Sequence, residues 1–141
     1  MASQLSIGTS AYATLTVGSS DLANAVALEP DDNFPAVFAT PRLIALMEIA
    51  SARILKPLLG PGQLSVGVTI DASHTAATLP GCQVVAEATY VRSEGKLFVF
   101  EVVARDEGGE IGKALHKRAI VSVERLEEGA RKRAVLANTK A

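Results

Sequence analysis

An α+β fold, a curved antiparallel sheet wrapped around one long central helix, is what this sequence predicts. Three observations predict it. Residues 42–59 repeat their apolar positions at helical spacing. After them the period switches to two. Short Gly-bearing turns then divide the second half into four consecutive strands, the pattern of an antiparallel meander. One helix cannot cover both faces of such a sheet. The sheet is therefore expected to curl around the helix, leaving an outer face that is polar or meets another subunit.

Each element follows from its residues. Residues 1–9 are expected to fray, and residues 11–17 alternate loosely with β-formers, predicting a first strand. Gly18-Ser19-Ser20-Asp21 is a turn. Residues 22–28 are apolar but too short for periodicity to separate a strand from a helical turn. Residues 29–33 form a loop. The helix starts at Thr40-Pro41, with Thr40 as N-cap and Pro41 at the first helical position. Leu43, Met47, Ala50, Ile54 and Leu58 make its apolar face, and Gly60-Pro61-Gly62 stops it. Leu64, Val66, Val68 and Ile70 then alternate with Ser65, Gly67, Thr69 and Asp71, which should turn the apolar row toward the helix. Residues 82–92, 97–105 and 111–125 are the remaining strands. The chain reads as one domain over residues 1–126, and the charged, then small and polar residues 127–141 read as a disordered tail.

Composition narrows the function. The chain has 141 residues, 48% hydrophobic and 21% charged, with a formal net charge of -1. That is a globular composition without the basic field that favours nucleic acid or an anionic membrane. Four Phe, two Tyr and no Trp leave few rings for stacking bases. One cysteine, Cys82, permits neither an internal disulfide nor a cysteine zinc cluster, and it reads as structural. Met1 to Gly8 lack a positive segment and a long apolar run, and no apolar stretch reaches spanning length. A cytoplasmic protein is expected. Phosphate-loop, H-E-x-x-H and G-x-S-x-G motifs are all absent.

Three side chains carry candidate chemistry. Glu48 lies at the edge of the helix's apolar stripe, with no basic residue one turn away. It is either a tuned base or nucleophile, or an edge carboxylate that reaches water. His74 shares parity with Leu64, Val66, Val68 and Ile70, which puts it at the mouth of the core. It is either an acid–base group or a structural histidine bonded to a carbonyl. Thr40 is a cap that also sits beside the free N–H groups of a helix N-terminus, where developing negative charge is stabilised. Together a hydroxyl, a carboxylate and an imidazole are the parts of an acyl-transfer site. Lys113, His116, Lys117 and Arg118 form a basic patch, either a solvated strand face or a contact for a phosphate- or carbonyl-bearing ligand.

The segment Phe34-Pro35-Ala36-Val37-Phe38-Ala39-Thr40, then Leu46-Met47-Glu48, then Ser73-His74-Thr75-Ala76-Ala77-Thr78, resembles the fluoroacetyl-CoA-specific thioesterases. Glu110-Ile111-Gly112 and His116-Lys117-Arg118-Ala119 extend the match, which covers about residues 30–126. The resemblance implies a hotdog fold paired into a homodimer and hydrolysis of a short or medium acyl-CoA to the free acid and CoA, fluoroacetyl-CoA among the candidates. It implies Thr40, Glu48 and His74 as the catalytic set. It places Phe34, Gly67, His74 and Arg118 against the substrate, with Phe34 as a gate that keeps water from the thioester. No metal or separate cofactor is implied, since coenzyme A is part of the substrate. Pro41 stands where the family pattern has glycine and Ile49 where it has tryptophan. Both lie near the expected acyl pocket, so the acyl group is left open. A non-catalytic acyl-CoA or acyl-ligand binder, or a hydratase or dehydratase, fits the same fold.

Overall fold

The computed structural model describes residues 5–140. β1 (Ser10–Thr16) leads through two 3-10 turns, Ser19–Asp21 and Ala23–Val26, to α1 (Thr40–Leu55) and a last tight turn, Lys56–Leu58. Then come β2 (Gln63–His74), β3 (Gln83–Glu94), β4 (Leu97–Asp106), β5 (Gly109–Ser122) and α2 (Val123–Lys140). The five strands form one antiparallel sheet in the order β1-β3-β4-β5-β2, and α1 packs against every one of them. The expected wrap of sheet around helix is thus what the chain adopts. The expected meander of four strands is only three long, β3-β4-β5: β2 does not pair with β3 and instead lies at the far edge beside β5.

The core sits between α1 and the sheet. α1 buries Leu43, Leu46, Met47, Ala50, Ser51, Ile54 and Leu55. Opposite them the sheet presents Ala86, Ala88 and Ala104, small residues that let the helix lie close, with Val84, Phe100 and Val102 filling the spaces between. Each fully buried Leu or Met contributes about 2 kcal/mol relative to exposure. The one hydroxyl on this face, Ser51, donates to the Met47 carbonyl at 2.9 Å and so enters the core with its bond made. The β3–β4 hairpin turns at Gly95, whose φ of 59° suits glycine.

Four local expectations are corrected. The helix ends at Leu55, before residue 59, because Pro57 has no N–H for the ladder and the chain tightens into the turn Lys56–Leu58. Residues 8 and 9 do not fray: Gly8 N–H donates to the Tyr90 carbonyl and Tyr90 N–H to the Thr9 carbonyl, both at 2.8 Å. Residues 1–4 lie outside the described residues. Residues 123–140, expected as the end of a strand and a disordered tail, form α2. Ser122 Oγ accepts the Arg125 N–H at 3.2 Å, acidic Glu124 lies in the first turn, and Arg131 pairs with Glu128 at 3.0 Å. Cap, dipole and i,i+3 pairing together hold a helix that few apolar contacts support.

The fourth correction matters most for the site. β2 pairs with β5 in continuous register from Gln63↔Ser122 to Gly67↔Arg118, then shifts so that Thr69 faces Lys117. Val68 is the extra residue of a β-bulge, and everything before it swaps faces. Ile70, Ala72 and His74 turn toward the helix as expected, but on the other side of the bulge Ser65 and Gly67 do, not Leu64 and Val66. Leu64 and Val68 are left 56% and 50% exposed on an edge strand.

Candidate active site

Two polar clusters flank α1. The first lies at its N-terminus. The helix begins at Thr40 itself, with Ala39 as N-cap and no side-chain cap bond. Thr40 is therefore not the cap that Thr-Pro chemistry suggested. Pro41 brings no N–H, and the Ala39 carbonyl accepts from both Arg42 and Leu43 N–H at 3.0 Å, so the hydroxyl has another use. Thr40 Oγ1 and His74 Nδ1 share a hydrogen bond of 2.8 Å. His74 comes from the last position of β2 and is held from two sides. The buried Phe38 ring meets it edge-on at 6.2 Å and 76°. The next residue, Thr75, donates its N–H to the Ile111 carbonyl at 2.7 Å. His74 Nε2 is buried and has no hydrogen-bond partner among the described residues. Burial holds the imidazole below its ordinary value of 6.5, with the Ala76 backbone pulling slightly the other way. A neutral ring with one nitrogen bonded and one free is a proton carrier in waiting. A cleft of about 360 Å³ opens here, lined by Ala23, Pro35, Val37, Thr40, His74 and Ala76 among others. Phe34, the expected gate, stands 51% exposed one residue from that lining.

The second cluster lies at the β2 bulge. Glu48 leaves α1 two turns after Thr40, about 12 Å further along the axis. Arg118 Nη1 donates to its Oε1 at 2.9 Å. Arg118 itself is 6% exposed and is fixed by Ser65: Nε donates to the hydroxyl at 3.0 Å and Nη2 to the carbonyl at 2.9 Å. His116 is 1% exposed and lies 4.0 Å from the same carboxylate oxygen. Burial holds its pKa below 6.5; the Thr69 carbonyl opposes that shift, and the Arg118 charge adds to it. Gly67 closes the cluster. A Cβ there would run into Glu48 Oε1 and come within 3.2 Å of His116 Cε1, so the carboxylate occupies space that only glycine leaves open.

The expected trio is thus divided. Thr40 and His74 meet, whereas Glu48 is tied to Arg118 and shares no hydrogen bond or ion pair with His74 among the described residues. Gly67 and Arg118 both belong to the Glu48 cluster. The basic patch on β5 is not one solvated face. Its alternation buries His116 and Arg118 and leaves Lys113 and Lys117 on the other side. His116, expected only as part of that patch and not in the catalytic set, shares the inward parity of Ala114 and Arg118. The period-two test that placed His74 would have found it.

A family model described as fluoroacetyl-CoA-specific thioesterase matches residues 17–124. The chain belongs to the fluoroacetyl-CoA-specific thioesterase family. A fluoroacetyl-CoA thioesterase from Streptantibioticus cattleyicolor is 40% identical over 100 residues, covering 71% of this chain and 72% of that protein. Among solved structures, a point mutant of the fluoroacetyl-CoA-specific thioesterase FlK superposes with a TM-score of 0.87 at 32% identity, covering 93% of this chain and 98% of that one. A hot-dog-like protein from Thermanaerovibrio acidaminovorans superposes with a TM-score of 0.77 at 26% identity, covering 90% of this chain and 91% of that one. The fold is the hotdog fold, and the family resemblance read from the His-Thr-Ala-Ala-Thr and Phe-x-x-Val-Phe-Ala-Thr strings is the family the chain belongs to.

Proposed function

We propose that this chain is an acyl-CoA thioesterase that hydrolyses a short or medium acyl-CoA, working as a homodimer with its site shared between subunits. Family membership supports the reaction class, since the similar protein from Streptantibioticus cattleyicolor is a fluoroacetyl-CoA thioesterase. The division of polar groups supports the shared site: each protomer carries a carboxylate cluster and a hydroxyl–imidazole cluster on separate parts of one helix.

The edge strand is the reason to pair them. β2 offers twelve residues of unpaired edge, bearing exposed Leu64 and Val68, with Ile49 exposed beside Glu48 on α1. An apolar edge of that length is a template for another strand. Antiparallel self-pairing of β2 about a two-fold between Ile70 and Asp71 would set Gly67 of one copy opposite His74 of the other. Glu48 of one protomer then faces Thr40 and His74 of its partner across the covered Val68 patch.

In that arrangement Glu48, its Oε1 held by Arg118, uses the other oxygen to attack the acyl carbon or to draw a proton from the attacking water. By either route the C–S bond breaks as a C–O bond forms and the departing thiolate takes up a proton. Direct attack by water gives the free acid at once, whereas attack by Glu48 leaves an acyl–carboxylate anhydride that water then cleaves to the free acid and the restored carboxylate. Thr40 and His74 orient the thioester at the N-terminus of α1, where charge growing on its carbonyl oxygen meets the positive end of the helix. Phe34 shields the acyl end from water. Coenzyme A enters as part of the substrate, and no step calls on a metal or a separate cofactor. A cytoplasmic setting belongs to the same reading; no helix among the described residues is long and apolar enough to cross a membrane.

A thiol-release assay over acyl-CoAs of increasing chain length, with fluoroacetyl-CoA included, tests the activity. Release of free CoA from a subset of the panel is expected. Tight binding of an acyl-CoA that stays intact for hours would favour a carrier, and an enoyl absorbance change without thiol would favour a hydratase.

A further inference from the structure

His116 is the most buried titratable side chain near Glu48, and the expected catalytic set gives it no role. Its bonding fixes its protonation. Nδ1 lies 2.7 Å from the Thr69 carbonyl, which can only accept, so Nδ1 carries a hydrogen. Nε2 lies 3.2 Å from Arg118 Nη1, which can only donate, so Nε2 offers a lone pair. The bulge at Val68 is what turns the Thr69 carbonyl to the ring.

Arg118 Nη1 has two hydrogens, and both are used: one on Glu48 Oε1 at 2.9 Å, one on His116 Nε2. Ser65 fixes the opposite edge of the guanidinium through Nε and Nη2. We propose that His116 is a positioning residue: its Nε2 lone pair locks the Arg118 guanidinium, which then holds one oxygen of Glu48 and leaves the other for the thioester. This rests on the hydrolase reading above. The groups facing the ring are the Thr69 carbonyl, Arg118, Glu48 and, at 6.5 Å, the Phe100 ring. A protonated His116 would set an N–H against the Arg118 N–H, two donors and two positive charges in contact, and would release Arg118 from its alignment. Without an acceptor there, one buried guanidinium N–H is left unsatisfied and Arg118 is free to turn off the carboxylate.

Two amide variants separate this role from mere space-filling. His116→Gln places a carbonyl oxygen where Nε2 was and keeps an acceptor for Arg118. His116→Asn keeps a donor for the Thr69 carbonyl but offers Arg118 nothing. Thiol release by folded His116→Asn is expected to fall about tenfold or more in kcat, the scale of one lost charge-assisted hydrogen bond, with KM changed less than about twofold. His116→Gln is expected to recover most of that loss. Equal activity of the two, with matching melting curves, would overturn the proposal, because filling the site and satisfying Thr69 favour Asn. Nitrogen NMR of the wild-type histidines near neutral pH is a second test that needs no variant to fold. A hydrogen on Nδ1 and a bare Nε2 are expected, and the opposite tautomer or a charged ring would overturn the proposal. A wild type that releases no thiol from any acyl-CoA would instead remove the hydrolase reading, while the nitrogen spectrum would still decide the tautomer.

Discussion

The N-terminus and the middle of one helix hold polar groups in opposite ways. At the bulge, Glu48 is anchored: Arg118 grips one oxygen and is itself tied to Ser65 and His116 by three further bonds. At the N-terminus, His74 is poised: one nitrogen bonds Thr40 and the other is buried with no partner among the described residues. An anchored carboxylate can deliver electrons in a fixed direction but has no proton carrier at hand. A poised imidazole can carry a proton but has no nucleophile at hand. On the proposed reading neither cluster is a site alone, and a second protomer on the exposed edge of β2 would join them.

Breaking the anchored half should cost the most. Glu48→Gln keeps the size and removes the charge, so thiol release should fall by roughly 10²- to 10⁴-fold with little change in KM. Loss of less than tenfold in steady-state kinetics would mean that the carboxylate is not the reacting group. A milder break comes from Gly67→Ala. The new methyl claims space now held by Glu48 Oε1, so the carboxylate must move, and kcat should drop on the order of 10- to 100-fold. Thermal unfolding should shift little, because the atom that must give way is the far end of the flexible Glu48 side chain. Unchanged kinetics would show that Glu48 has room to spare.

The smallest effect sharpens the comparison through pH. Both histidines sit below their ordinary value of 6.5, chiefly because burial disfavours the charged ring. The unfolded chain therefore binds these protons first as pH falls. Their neutral-state contribution to stability is full above about 6.5 and is lost as pH drops through the folded-state values. Urea unfolding of the protein should show a midpoint that declines on acidification below that point, and replacing His116 with Gln should flatten part of the decline. A midpoint that rises on acidification over that range would contradict the assigned shifts.

Much of this was legible in the residues. The helical spacing of Leu43, Met47, Ala50 and Ile54 gave α1 its buried face, and the Gly-bearing turns gave the β3-β4-β5 meander, but not the place of β2, which crosses to the far edge and pairs with β5. Strand parity singled out His74, whereas Thr40 was singled out as a cap, a bond it does not make. What was not legible depends on register. Gly67 inside the alternating run is a hint of a bulge, but it does not say which residue is the extra one, and that residue decides that Gly67 faces Glu48 and that Leu64 faces out. The partner of Glu48 was equally hidden, since Arg118 lies seventy residues away and reaches it only through β5 pairing. α2 was missed for a different reason. Its charged composition looks disordered by residue count, and only the Ser122 cap and the ordering of acidic before basic residues mark it as a helix.

Mixing two inactive variants is the most direct measurement of all. Glu48→Gln and His74→Ala protomers, unfolded together and refolded as one population, should form mixed dimers in which one composite site has both groups intact. About a quarter of wild-type thiol release should return, half of the dimers being mixed and each carrying one working site. Activity that stays at the level of the separate variants, in a population shown to contain mixed dimers, would mean that Glu48 and His74 do not act across subunits.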